Sequence, residues 1–283
     1  MAAAGAACVV RPGDRVDPES AWLHNHKRNV ASQFGEDGII QEVVAILGLD
    51  RGSDRWCIEI GAWDGYRFSN TWNLIVNGGW HGVLIEGDTK RFAELEKRYA
   101  GMARVTTVRA WVDVKGVHSL DRILLAATKL PGDIDLLSID IDGADWHVWK
   151  RLEAYRPKIV VIEFNPSIPN DVHFVQAADC TVHQGSSLAA LIALGKEKGY
   201  ELVVTTTVNA VFVVADMFER FGIRDNRIDA MHTNGELESR LFQLYDGTLV
   251  LAGCKRLIWS KIDIDPERLQ VLQPAERTFK GCP

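Results

Sequence analysis

The sequence lacks a cysteine framework, an excess of basic charge and a long apolar run, and each lack closes off a class of protein. Its five cysteines, Cys8, Cys57, Cys180, Cys254 and Cys282, are scattered, odd in number and without a CxxC pair. That pattern excludes a disulfide scaffold and a cysteine-rich zinc site, and a reducing compartment, the cytoplasm, is expected. Acidic residues outnumber basic ones, 38 to 32, for a net charge of −6. A nucleic-acid partner, which calls for a basic face, is therefore not expected. No stretch approaches the roughly 20 apolar residues of a membrane span, so no membrane partner is expected either. The opening MAAAGAACVV has no basic residues before it and runs into Arg11-Pro12-Gly13-Asp14. It reads as a disordered tail over residues 1–20, not as a secretory or organelle leader.

What is present is an ordinary globular composition, 47% apolar and 25% charged over 283 residues, arranged in a repeating order. Ile39, Ile40, Val43, Val44 and Leu47 recur at helical spacing and Gly48 closes them. Short apolar runs at 56–61, 82–86, 105–112, 133–140 and 157–164 read as buried strands. Helical segments at 69–76, 89–99, 119–128 and 144–155 separate them, and a helix at 186–198 follows a polar insertion at 165–184. Apolar strands alternating with helices predict a mainly parallel sheet covered on both faces. The runs at 201–205 and 210–214 have no helix between them and predict an antiparallel hairpin. The expected fold is thus α/β, Rossmann-like, with seven strands closed by that hairpin. Residues 1–31 read as a tail and lead-in, 32–215 as the domain, and 216–283 as an extension with a turn at Asp246-Gly247, a candidate homodimer arm.

In such a sheet, ligands bind beyond the carboxyl ends of the strands. The first strand ends in Glu59-Ile60-Gly61-Ala62-Trp63-Asp64-Gly65, where glycines permit a sharp turn and a close backbone approach. Glu86 ends the second strand, 21 residues past Gly65, where a carboxylate can accept from both hydroxyls of a ribose. The GxGxxG of dinucleotide sites is absent, which favours S-adenosylmethionine as the adenosine cofactor. Trp111 after the third strand reads either as a cover for the adenine or as core. Asp140, Asp142 and Asp145 follow the fourth strand, and Glu163 and Asn165 the fifth. Carboxylates so dense require a proton, a cation or divergent directions, and hard oxygen donors suit Mg²⁺. For Asp145 a place near the helix dipole is the simpler reading. His173 and His183, in the insertion, are the candidate general bases.

These residues resemble a known family. Ser32-Gln33-Phe34-Gly35-Glu36-Asp37, Glu59-Ile60-Gly61-Ala62, Ser69-Asn70-Thr71, the run Gly79–Glu86 and Ser119-Leu120-Asp121 are similar to FkbM-type S-adenosylmethionine-dependent methyltransferases, over about residues 32–215. The resemblance implies methyl transfer to a hydroxyl of a small molecule, sugar or natural product. It implies that Gly61, Asp64 and Gly65 border the methionine part of the cofactor, with Glu59, Asn70 and Asp140 close by, Glu86 at the ribose and Gln33 reaching in from the lead-in. The acids also resemble the divalent site of metal-dependent O-methyltransferases, with Asp140 or Asp142, Glu163 and Asn165 as ligands. Two positions depart from the pattern: Trp63 stands where its middle glycine belongs, and SIDIDG replaces a lysine-containing segment. A metal-dependent hydrolase, an NAD-type oxidoreductase and a non-catalytic cofactor-binding subunit are the competing readings.

Overall fold

The computed structural model describes residues 16–52, 54–127, 130–233, 237–258 and 260–278. Most of the expected tail therefore lies outside the described residues. Its described end is packed: Ser20 and Leu23 are fully buried, the indole N–H of Trp22 donates to the carbonyl of Phe221, and the N–H of Asp17 donates to Ala230. Apolar residues at 21–23 supply the reason, since they have a groove to fill.

Five βα units follow. Strand β1 (Trp56–Ile60) comes after helix α1 (Glu36–Ile46), and β2 (His81–Glu86) after the short α2 (Trp72–Val76). Next come α3 (Thr89–Tyr99), β3 (Val105–Arg109), α4 (Leu120–Ala127), β4 (Leu136–Ile139), α5 (Asp145–Arg151) and β5 (Ile159–Glu163). Helix α6 (Leu188–Glu197) leads to β6 (Tyr200–Thr205) and β7 (Asn209–Val214). The seven strands stand in the order β3-β2-β1-β4-β5-β7-β6. β7 runs antiparallel to both neighbours and the other six run one way. The order reverses between β1 and β4, which opens a crevice above their carboxyl ends.

Every residue of β4 and β7 is buried, as in a sheet covered on both faces. Several elements are shorter than their sequence pattern, β4 and α5 among them, and two of the shortenings shape the site. β3 is an edge strand, only half-buried, and ends at Arg109, which frees Ala110-Trp111-Val112 to leave the sheet. α2 starts at Trp72 because the residues before it are taken up by Glu59, as described below. The extension forms two antiparallel ribbons, β8 (Ser239–Gln243) with β9 (Leu249–Gly253) around the expected turn, and β10 (Arg256–Leu257) with β11 (Ile262–Asp263). No helix among the described residues is long and apolar enough to cross a membrane.

The crevice depends on Gly61. Its N–H and that of Ala62 both donate to Ile85 at the end of β2, and the N–H of Asp140 donates to Ile60. Gly61 has φ 76°, and a Cβ there would lie 1.7 Å from the carbonyl oxygen of Asp140. Gly48 has a similar φ of 71° but nothing within 4 Å of an added Cβ. Gly48→Ala is therefore expected to cost only the left-handed penalty, about 1–2 kcal/mol. Gly61→Ala should cost at least about 3 kcal/mol, because backbone has to move as well. Urea denaturation of the two variants checks the difference, and equal losses would mean the strand ends are not held at Gly61.

Candidate functional site

A cavity of about 790 Å³ opens at the carboxyl ends of β1, β2, β4 and β5, within the range of small-molecule sites. Its first wall is set by Glu59. This buried carboxylate accepts from the hydroxyls of Ser69 (2.6 Å) and Thr71 (2.7 Å) and from the N–H of Asn70 (2.7 Å). Burial pushes its carboxyl up despite those bonds. Glu59 thus fixes the loop before α2, and Asn70, whose amide donates to Ser138, is held facing the cavity.

Gln33 reaches the cavity because its segment is pinned on both sides. One carboxylate oxygen of Asp37 accepts from the N–H groups of Val30, Ala31 and Ser32 at 2.7–2.8 Å. Glu36, fully buried, accepts from the N–H of Phe34, from Thr206 in the β6–β7 turn and from Asn209 at the start of β7. The SQFGED motif is therefore mostly scaffold, and Gln33 is the residue it presents.

Glu86 ends β2 with its oxygens accepting from the N–H groups of Trp63 (2.8 Å) and Asp88 (2.7 Å). Each oxygen retains acceptor capacity toward the cavity. Trp111 is not core: it is 71% exposed and lines the cavity. A Cβ on Gly87 would sit 2.2 Å from its ring, so the indole lies directly on that glycine. Four non-glycine residues among those described have left-handed backbone, Trp63, Phe68, Asp142 and Lys261, and all four line this cavity. Such conformations cost on the order of 1–3 kcal/mol each and gather at functional sites.

Carboxylate oxygens of Asp140, Asp142 and Glu163 lie within 4.8 Å of one another. Burial first, then the charges of Asp145, Asp142 and Glu59, push the Asp140 carboxyl well above its ordinary range. Glu163 is raised likewise, by burial and then by Asp140. Asp145 is pushed up to about 6, burial outweighing the N–H groups of Ile141 and Gly143 that it accepts from. A second cavity of about 250 Å³ shares Asp142, Glu163 and His183 with the first.

Of the residues expected at the site, Gln33, Glu59, Gly61, Asn70, Glu86, Trp111, Asp140, Asp142, Glu163 and His183 line the main cavity. Four others are placed differently. Asp64 turns away to accept from Tyr66 and Arg67 and to pair with Arg98 at 3.0 Å. Gly65 packs on α3, where a Cβ would lie 2.5 Å from Leu95. Asn165 lines the smaller cavity and spends its carbonyl oxygen on the N–H and hydroxyl of Ser167, so Asp142 takes its place in the acid cluster. His173 is exposed and lines neither of these cavities. The insertion carrying both histidines is organised by buried Gln176, which accepts from Gln184 and Gly185 and donates to Val182. It brings Cys180 and His183 to the cavity. Residues that sequence reasoning did not reach include Arg67, Phe68, Arg91 and Lys261. No local pattern marks Lys261, which arrives from the far end of the chain.

The raised carboxyls have a stability consequence. The folded chain holds these protons more tightly than the unfolded one, so the stability that these groups contribute is greatest at low pH. It is lost as pH rises from about 4, the unfolded value, through the raised folded values. Asp140→Asn removes one crowded charge. Its melting temperature at pH 8 is expected to exceed that of the parent by about 2–4 °C, the shift for roughly 1 kcal/mol in a chain of this size. The gap should close at pH 4, and a lower melting temperature at both pH values would show that the charge is compensated.

Residues 112–202 match the family model described as Methyltransferase FkbM domain. The resemblance read from the sequence is borne out over that segment, which contains Asp140, Asp142 and Glu163 but not Gln33, Gly61 or Glu86. Among curated proteins none matches the chain. Solved structures that match the chain include the N-terminal domain of EvdMO1 with SAH bound, 16% identical over 63% of this chain and 80% of that one, with a TM-score of 0.43. Another is the METTL16 MTase domain, 14% identical over 63% and 66%, with a TM-score of 0.42. A SAM dependent methyltransferase from Aquifex aeolicus is 11% identical over 64% and 90%, with a TM-score of 0.38.

Proposed function

We propose that this chain, which carries an FkbM methyltransferase domain at 112–202, transfers the methyl group of S-adenosylmethionine to a hydroxyl of a small-molecule or sugar acceptor. The observation that carries the reading is that one cavity holds both a nucleoside frame, Glu86 and Trp111, and a proton acceptor, the Asp140–Glu163 pair. The residues fit the cofactor. Glu86 has acceptor capacity for two ribose hydroxyls, the Trp111 indole offers a flat apolar cover for a purine, and Gln33 and Asn70 offer amides to the amino-acid end. When bound, S-adenosylmethionine supplies an electrophilic methyl on a sulfonium and leaves as S-adenosylhomocysteine.

The chain's own task is to hold the acceptor oxygen in line with that methyl and to take its proton. Asp140 or Glu163 would accept the hydroxyl proton as the acceptor oxygen takes up the methyl group. A carboxylate of ordinary pKa is a feeble base toward an alcohol. Burial and mutual repulsion make these two stronger ones, in the direction a general base requires. Proximity and orientation supply the larger share, about 7–11 kcal/mol in favourable cases. A divalent cation at Asp140, Asp142 and Glu163 is the second reading, favoured by their 4.8 Å grouping and all-oxygen donor set. Such an ion would acidify the acceptor hydroxyl.

Titration calorimetry with S-adenosylhomocysteine is expected to give micromolar binding, weakened about tenfold by Glu86→Gln through loss of a charge-assisted ribose contact. Asp140→Asn is expected to leave that affinity intact and to lower turnover about 10²–10⁴-fold. In the parent, turnover should rise with pH through the raised carboxyl values. Unchanged rates in EDTA would remove the cation, and loss of activity restored by Mg²⁺ would establish it. Failure to bind S-adenosylhomocysteine at all would sink the methyl-transfer reading and favour a hydrolase or an NAD-type oxidoreductase.

A further inference from the structure

The cavity carries both signs of charge. Half-buried Asp140 and Glu163 crowd together with exposed Asp142, while the cations that line the same cavity are exposed Arg67 and Lys261 and half-buried Arg91. Arg91 already has partners: it pairs with Glu94 at 2.9 Å and lies over the Trp63 ring at 4.8 Å. Arg67 lies over the Phe68 ring at 5.3 Å. The described residues place no carboxylate within ion-pair reach of Arg67 or Lys261. Among the described residues, two cations without a carboxylate partner line the same cavity as three crowded acids, although the simplest relief for both would be to pair.

Lys261 is held there at a cost. It sits in the turn between β10 and β11 with φ 56°, a backbone state that disfavours a lysine and would suit glycine or asparagine. The ribbon that carries it belongs to the extension, which also grips the insertion: Arg240 approaches Asp171 at 3.3 Å, and the Asn170 amide donates to Asp229 and His232. The cofactor does not account for two cations. It brings one carboxylate and a positive sulfonium, and the side-chain amides of Gln33 and Asn70 already offer neutral donors in the same cavity.

We infer that the acceptor is a hydroxylated compound bearing an anionic group, phosphate or carboxylate, which Arg67 and Lys261 hold while its hydroxyl points to Asp140 and Glu163. The inference rests on the methyl-transfer reading and narrows its substrate class. Orientation follows from charge alone. The acids repel the anionic end, the cations attract it, and only the neutral hydroxyl end tolerates the acids. Arginine matches the paired oxygens of phosphate and carboxylate, and lysine adds a mobile point charge.

The test uses the full chain loaded with S-adenosylhomocysteine and three calorimetric probes, glucose, glucose 6-phosphate and glucuronate. At least one anionic probe is expected to bind about tenfold or more tightly than glucose, and which of the two does so separates phosphate from carboxylate. Arg67→Gln and Lys261→Gln should each weaken that probe about tenfold, with S-adenosylhomocysteine affinity unchanged, and Lys261→Arg should restore most of the loss. Lys261→Gly, which relieves the turn yet removes the charge, should weaken the probe as Lys261→Gln does. No preference for charge among the probes, including no binding by any, overturns the inference. So does a loss that falls on S-adenosylhomocysteine instead of the probe, since the cations would then serve the cofactor. If the parent chain cannot be loaded at all, the methyl-transfer reading fails first and this one with it.

Discussion

Where β1, β2 and β4 end, three chains of backbone meet without a side chain between them. Gly61 donates to Ile85, Asp140 donates to Ile60, and the space a Cβ would need is filled by the Asp140 carbonyl. The sheet must reverse its order here, and the reversal leaves a crevice only if the strand ends stay this close. The closeness sets Glu86 and Asp140 on one cavity, the first suited to a nucleoside and the second to a proton. Glu59, one turn of pleat earlier, fixes the loop above by gathering the hydroxyls of Ser69 and Thr71. A buried carboxylate with three donors is stiff scaffold, and the cavity wall inherits that stiffness.

The fold was legible in the sequence because apolar runs of four to six residues alternate with amphipathic helices, a pattern that leaves little choice of architecture. The strand-end acids were legible too, since Asp140 and Glu163 are the points where apolar runs stop. Asp64 and Gly65 were misplaced for a local reason. Trp63, in left-handed backbone, takes over the approach to Glu86 that a glycine pattern would assign to its neighbours, and Asp64 is left to Arg98. Asn165 looks like a ligand in sequence, but Ser167 two residues on captures its oxygen. Lys261 shows the limit of local reading, because nothing near it in the chain hints at a cavity formed some 200 residues earlier.

Charge and strain are distributed in a related way. The acids are forced together by the ends of β4 and β5, and the four left-handed residues ring the same opening. Each feature opposes folding, and both are tolerated because the mostly apolar strands around them are buried along their whole length. A site that is uncomfortable when empty can be eased by whatever binds there, which ties ligand occupancy to stability.

The bonds from Glu36 to Thr206 and Asn209 span 170 and 173 residues of chain. During synthesis the N-terminal segment emerges first, yet Glu36 lacks its Thr206 and Asn209 partners until the last hairpin of the sheet is made. Long-range closure of this kind is slow, since the loop entropy is lost before the contact is gained. Gln33 therefore takes its place late, after both halves of the sheet are in hand, and the cavity becomes competent to bind only when almost the whole domain has left the ribosome. A nascent chain cut short before β7 would hold every strand-end acid and still have no closed wall beside them.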